Sequence, residues 1–341
     1  MIYRVVLRFK NKLNMLSIKR FPANIIAAFI IAFSLYGSPA QCQQMPPLPP
    51  NHLSKPGKLY TIPFRWQRDT TNAVAEPHAA ILIPVKLPGC PRQFYMQFDL
   101  GAPYSLFYKN KLAAIQTRYP KTTLAADSNR LLNYFFTAER MPITASEIVV
   151  RQYDNTGITW DKGSIEIIGT LGTDLIDGSV AVIDYPARKI MLSPAMPSKL
   201  SKAVSLTSFV YAGRRVLLPA TVQGKPTLLF FDTGSSMFEL LTDKKSSEAM
   251  AVPGAIALQR KMKSWDRYLL ANSLPTTDSL EINGQKIRMH YTTYIEGSSG
   301  AEAAQMQKMG IGGMTGNKLF LQYKLVLDTK NKKFGLVSRS K

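Results

Sequence analysis

Histidine and cysteine are almost absent from this chain. Its 341 residues include three histidines, His52, His78 and His290, and two cysteines, Cys42 and Cys90. They form no His-x-x-x-His or Cys-x-x-Cys pair, so no metal-ligand spacing is present. No Gly-x-Ser-x-Gly elbow occurs, which removes the usual serine-hydrolase signature. "GIGGMTGNK" (310–318) looks like a phosphate loop, but Asn317 separates Gly316 from Lys318 and the pattern fails. Coiled-coil heptads are missing, and low complexity is confined to one Pro-rich stretch. No metal and no cofactor is expected.

Acids are the scarce charge. Asp and Glu number 22 against 43 Lys and Arg, a net charge of +21; residues 1–40 hold six bases and no acid, so the remainder keeps +15. The bases are scattered, with no run of five and no zinc-finger or RNP motif. No specific nucleic-acid partner is therefore expected, and the excess suits anionic envelope polymers or acidic partners.

What is present begins with an export signal. Lys19 and Arg20 precede an apolar stretch from Ile25 to Tyr36, and Ser38-Pro39-Ala40 puts small residues where a signal peptidase reads. The run is shorter than the ~20 residues that span a bilayer; a short signal anchor is the alternative. Residues 1–40 are read as a signal peptide, with Met15 as a possible start. The expected location is the periplasm, the cell envelope or the exterior. Membrane contact is expected only through this segment or, less favourably, a lipid on Cys42, since Gln41 fits the residue before a lipidated cysteine badly. No pairing of Cys42 with Cys90 is expected. Residues 41–60 read as a Pro-rich tether.

The rest of the chain repeats itself. "AAILIPVKLPGCPRQFYMQFDLGAPYSLFY" (79–108) and "RVLLPATVQGKPTLLFFDTGSSMFELLT" (215–242) each join an apolar run containing a proline, a glycine turn and a second apolar run ending in Asp-x-Gly. Both read as β-hairpins. "GTLGTDLIDGSVAVIDYPARKIML" (169–192) aligns without gaps on "GMTGNKLFLQYKLVLDTKNKKFGL" (313–336), at a constant offset of 144 and with seven identities, Gly172/Gly316 and Val182/Val326 among them. The two Asp-x-Gly triplets are offset by 133, so the second half is eleven residues longer between its motifs. An internal duplication gives lobes at 61–193 and 209–341, with a linker at 194–208. Asp278 to Glu296 predicts two strands around Asn283-Gly284, with Met141 to Asn155 as its counterpart. Short helices are predicted at 173–177 and 317–321. Asp184 and Asp328 read as turn formers.

These features resemble the pepsin/retropepsin aspartic peptidases, in the single-chain, bacterial-type form with two Asp-x-Gly lobes. "FDLGAPYSLFY" is similar to the retropepsin-type loop, "FFDTGSS" to the pepsin-type loop, and "GTLGTDLIDGSVAVIDYPARKIML" to the family's lobe ending. The resemblance covers residues 60–337 and implies a mostly β, bilobal acid-protease-like fold: two related β-barrel lobes, short helices and a central cleft. It implies Asp99 and Asp232 as a catalytic dyad. Two carboxyls within about 3 Å share a proton, and the pair activates water without a metal or a covalent intermediate. Gly101 and Gly234 would keep the loops narrow, Ser105 and Ser235 would bond the outer carboxylate oxygens, and Thr233 would lock one loop to the other. Gly169, Gly172, Gly313 and Gly316 would pack beside the loops. The implied function is an exported endopeptidase acting on a peptide or protein substrate. Leu100 stands where the family's second locking hydroxyl would be. On it rests the alternative, a catalytically inactive envelope protein that binds peptides or a protein partner. Asn129 to Glu139 and Trp265 to Asn272 are the candidate flaps.

Overall fold

The computed structural model describes residues 48, 50–122, 129–264, 267–297 and 308–338. The segment 1–40 expected to be a signal peptide, Cys42, most of the tether's start and positions 265–266 of one flap candidate lie outside them. Among the described residues no helix is long and apolar enough to cross a membrane.

Each half opens with an antiparallel hairpin. Glu76–Lys86 pairs with Gln93–Phe98, and Arg215–Val222 with Lys225–Phe231. The second hairpin turns on Gln223 and Gly224, both at positive φ (49° and 74°), as a two-residue primed turn requires. Ile81, Ile83, Val85, Phe94, Met96 and Phe98 in the first hairpin, and Val216, Leu218, Leu229 and Phe231 in the second, are fully buried. Burying each such side chain is worth roughly 1.5–3 kcal/mol, so the strands that lead into Asp99 and Asp232 are held fast.

The later strands follow one plan in both halves. Gln93–Phe98 runs parallel to Ile167–Leu171, which is antiparallel to Leu106–Tyr108. Likewise Lys225–Phe231 runs parallel to Ile311–Thr315, which is antiparallel to Leu240–Leu241. Leu106–Tyr108 also pairs in parallel with Met141–Arg151, and Leu240–Leu241 with Tyr291–Glu296. The counterpart of Met141–Arg151 is thus Gln285–Arg288 together with Tyr291–Glu296, within the segment matched to it from sequence. The Asn283-Gly284 hairpin, Ser279–Ile282 with Gln285–Arg288, takes the place of the first half's turn at Glu139 and Arg140: Ser279–Ile282 pairs with Arg215–Val222 as Arg130–Ala138 does with Glu76–Lys86.

Two helices absent from the sequence reading follow these strands, Lys109–Arg118 and Lys244–Met250. The first buries Leu112 and Ile115; the second is capped by Asp243, which accepts from Ser246 N–H at 3.0 Å. The predicted short helices are single 3-10 turns, Thr173–Ile176 and Asn317–Phe320.

A six-stranded sheet combines strands of both halves. At its centre Val180–Asp184 lies antiparallel to Tyr323–Asp328, with Val182 opposite Val326. These two residues are equivalent at the offset of 144, so the local twofold relating the halves passes between them. Asp184 and Asp328 accept from Ala187 N–H (3.0 Å) and Asn331 N–H (2.9 Å), closing the following turns. Tyr60–Pro63 forms one edge of the sheet, against Lys189–Ser193, and Thr207–Ser208 forms the other, against Lys333–Ser338. Within the stretch read as tether, Leu53–Ser54 pairs with Met141–Arg151. The fold is mostly β and two-lobed, as the sequence led us to expect.

Candidate active site

Both aspartates leave the end of an apolar strand and are anchored alike. Asp99 N–H donates to Leu171 O and Asp232 N–H to Thr315 O, each at 2.9 Å. Each chain then turns back on its own carboxyl. Gly101 N–H (2.9 Å) and Ala102 N–H (3.2 Å) donate to Asp99 Oδ1. Gly234 N–H (2.7 Å) donates to Asp232 Oδ1, and Ser235 Oγ (2.8 Å) to Asp232 Oδ2. An acid at the end of an apolar run is thus satisfied by the loop that follows it, and both residues are partly exposed along the chain.

The two loops meet face to face. A Cβ added to Gly101 would sit 2.4 Å from Asp232 Oδ1, and one added to Gly234 would sit 2.5 Å from Asp99 Oδ1. Each glycine therefore leaves the space that the opposite carboxyl fills. Burial, then the charge of Asp232 and a hydrogen bond with it, holds the Asp99 carboxyl well above the usual carboxylate range. Two acids in contact cannot easily both ionise.

One side chain ties the loops together. Thr233, fully buried, donates its hydroxyl to Phe98 O (2.8 Å) and accepts from Leu100 N–H (2.8 Å). Leu100 is also fully buried and returns no such bond. Behind the loops, Thr173 Oγ1 donates to Leu100 O (2.8 Å) and Asn317 Nδ2 to Thr233 O (3.0 Å). These residues are equivalent at the offset of 144, and neither was singled out from sequence.

The expectation for Ser105 is corrected. Its hydroxyl donates not to Asp99 but to Asp174 Oδ1 (2.7 Å), while its N–H donates to Asp174 Oδ2 (2.8 Å). Ser235 reaches its aspartate from three positions downstream, where the first loop has Ala102. Ser105 stands six positions on, at the entry to Leu106–Tyr108, and faces the other way. Asp174 escaped the sequence reading, although it follows the repeated glycine at 172 by two residues. Burial raises its carboxyl to about 6, against the pull of the two Ser105 bonds and of Arg214.

A testable consequence follows for Ser105→Ala. It removes one bond favouring ionised Asp174 and the acceptor of Gly172 N–H (2.9 Å). The Asp174 carboxyl is expected to move further up, and stability to fall by about 1–2 kcal/mol. Because a raised carboxyl contributes stability at low pH that is lost as pH rises through its folded value, the deficit should be larger at pH 7 than at pH 4. Carboxyl NMR and thermal unfolding at both pH values check this.

The four glycines of the lobe endings all lie where backbone approaches closely. A Cβ on Gly172 would meet Ala102 O (2.7 Å) and Tyr104 O (2.7 Å), and one on Gly316 would meet Ser235 O at 2.0 Å. A Cβ on Gly169 would likewise run into Leu106 O, and one on Gly313 into Leu241 O at 2.6 Å. The flap candidates fall in two hairpins, Arg130–Ala138 with Met141–Arg151, and Leu258–Ser264 with Arg267–Pro275. The second docks on a first-half loop: Asn72 and Lys261 exchange two hydrogen bonds (3.1 and 2.9 Å), and Arg260 Nη1 donates to Val74 O (2.7 Å). Beside it lies a cavity of about 600 Å³ whose walls include Glu76, His78, Met237, Glu239, Arg260 and Lys318. Buried Glu76 accepts from Lys318 Nζ at 2.9 Å, and Glu239 Oε2 from the N–H groups of His290 (2.6 Å) and Tyr291 (2.8 Å). Neither Asp99 nor Asp232 lines it.

No protein-family model matches the chain, and no curated protein matches it. Among solved structures, the chain is similar to the aspartic proteinase from Irpex lacteus, with 15% identity and a TM-score of 0.48, over 83% of this chain and 98% of that one.

Proposed function

We propose that the chain is an exported aspartic endopeptidase that hydrolyses peptide bonds with water activated by Asp99 and Asp232. The observation that carries the reading is the reciprocal fit of Gly101 against Asp232 and of Gly234 against Asp99. The two carboxyls share one proton and act as a pair. The ionised member takes a proton from water as the water oxygen attacks the peptide carbonyl carbon, and the protonated member gives its proton to the carbonyl oxygen. In the collapse of the tetrahedral species, the first returns its proton to the leaving nitrogen and the second recovers one from a hydroxyl of the diol. Every proton is conserved and no covalent intermediate forms. The net charge of +15 beyond residue 40 favours encounter with acidic peptides.

The pH dependence follows from Asp99. Burial and the neighbouring Asp232 charge raise its carboxyl, so the one-proton state persists from acid toward neutral pH and is lost as pH rises through that raised value. Purified protein incubated with mixed peptides across pH 3–8 is expected to cleave them, best on the acid side, and to be blocked by a statine-type inhibitor. Peptides bound but left intact at every pH would replace this reading with the inactive, peptide-binding one, for which the missing hydroxyl at Leu100 speaks.

A further inference from the structure

The two loops are not held in the same way. The first is tied from the other half by the Thr233 hydroxyl, at Phe98 O and Leu100 N–H. With leucine at position 100, the reciprocal tie on the second loop is gone. A different chain of hydrogen bonds reaches that loop from the first half. Tyr185, at the end of the central strand Val180–Asp184, donates its hydroxyl to Asn317 Oδ1 at 2.7 Å. The Asn317 amide nitrogen donates to Thr233 O (3.0 Å) and to Ser236 Oγ (2.9 Å). Ser236 Oγ in turn donates to His78 O, back in the first half, at 2.5 Å. Thr233 and Ser236 bracket Gly234 and Ser235, so the chain clasps the loop carrying Asp232 on both sides. Asn317 and Thr233 are fully buried, Ser236 and Tyr185 nearly so.

The direction of each bond is determined. A phenol hydroxyl has one proton, and Asn317 Oδ1 can only accept. Thr233 O can only accept as well, so it fixes the Asn317 amide with its nitrogen toward the loop and Oδ1 toward Tyr185, whose hydroxyl is left to donate. The Tyr185 ring is fixed by stacking on Trp66, centroids 6.2 Å apart and planes within 8°. The equivalent positions in the other half do not do this. Thr173 bonds Leu100 O within its own half, and Thr329, equivalent to Tyr185, donates to Ile176 O (2.7 Å), away from the aspartate loops.

We propose that Tyr185 and Asn317 are positioning residues for the dyad, holding the Asp232 loop from the first half in place of the hydroxyl that position 100 lacks. This rests on the peptidase reading for its kinetic arm but has a readout independent of it. Tyr185→Phe removes only the hydroxyl. It is expected to lower kcat about tenfold, as a small misplacement of reacting groups does, with KM little changed, and to move the titration of the Asp99 and Asp232 carboxyls followed by NMR. Leu100→Thr should recover most of that loss in the Tyr185→Phe background. Asn317→Thr copies the first half's arrangement, keeping a donor for Thr233 O while breaking the link to Tyr185; it should reproduce Tyr185→Phe, and it keeps the test open if that variant does not fold. Native kcat and carboxyl titration in either variant would overturn the proposal, whatever the change in Tm. So would failure of Leu100→Thr to rescue. Moved titration in a protein that cleaves no peptide would uphold the positioning and remove the peptidase reading.

Discussion

Asp232→Asn is expected to lower turnover of any cleaved peptide by at least about 10³-fold, as loss of a central catalytic group does. An amide cannot take a proton from water, yet it fits the same loop: its oxygen can accept from Gly234 N–H and its nitrogen can donate to Ser235 Oγ. The fold should therefore survive. Asp99→Asn should abolish turnover equally and, in addition, stabilise the protein at neutral pH. Asp99 is raised above its ordinary value in the folded state, so its stability contribution is full at low pH and is lost as pH rises through the raised value. Asparagine carries no such penalty. The unfolding midpoint of Asp99→Asn should exceed that of the native protein at pH 7, and the two should converge toward pH 3. Calorimetry across that range, beside a fluorogenic peptide assay, reads both arms. Retained cleavage in Asp232→Asn would remove the dyad from the mechanism.

Thr233→Val should have the second largest effect. Valine keeps the shape of threonine and deletes one oxygen. That oxygen accepts from Leu100 N–H and donates to Phe98 O inside the protein, and each buried polar group left without a partner costs ~1–3 kcal/mol. A combined loss of about 2–5 kcal/mol in urea unfolding is expected, with turnover falling ~10²-fold as the loops lose register. Leu100 offers no second hydroxyl to cushion the change. A stability loss below about 0.5 kcal/mol, the range of ordinary surface substitutions, would mean that the loops are held together elsewhere.

Much of the fold is legible in the chain because it is written locally. The two apolar runs that end in Asp99 and Asp232 form paired hairpins, since alternate and continuous burial leave a strong pattern over a few residues. Asn283-Gly284 is read correctly as a turn, with both residues at positive φ. The gapless match of 169–192 with 313–336 has a direct counterpart in three dimensions, where Val182 faces Val326. The failures have physical reasons too. Lys109–Arg118 escapes because only Leu112 and Ile115 mark its buried face, too few to set a helical period. Met141–Arg151 is matched to the right segment, 278–296, but its single strand is broken there into Gln285–Arg288 and Tyr291–Glu296, which strand propensity does not reveal. Ser105 serves Asp174 rather than Asp99 because it stands six positions past the aspartate, at the entry to the next strand, where it faces away from the loop.

By itself the sequence determined that two copies of one β unit exist, that each ends an apolar strand in Asp-x-Gly, and that leucine stands at position 100 where the second copy has Thr233. Only the tertiary structure decided that the glycines make room for the opposite carboxyls, that Ser105 serves Asp174, and that Tyr185 reaches Asn317 across the halves. Patterning of polar and apolar residues acts over a turn or a strand. A shared proton or a single hydrogen bond depends on a few tenths of an ångström between groups more than 130 residues apart, and that distance is set by how the central six-stranded sheet joins the lobes.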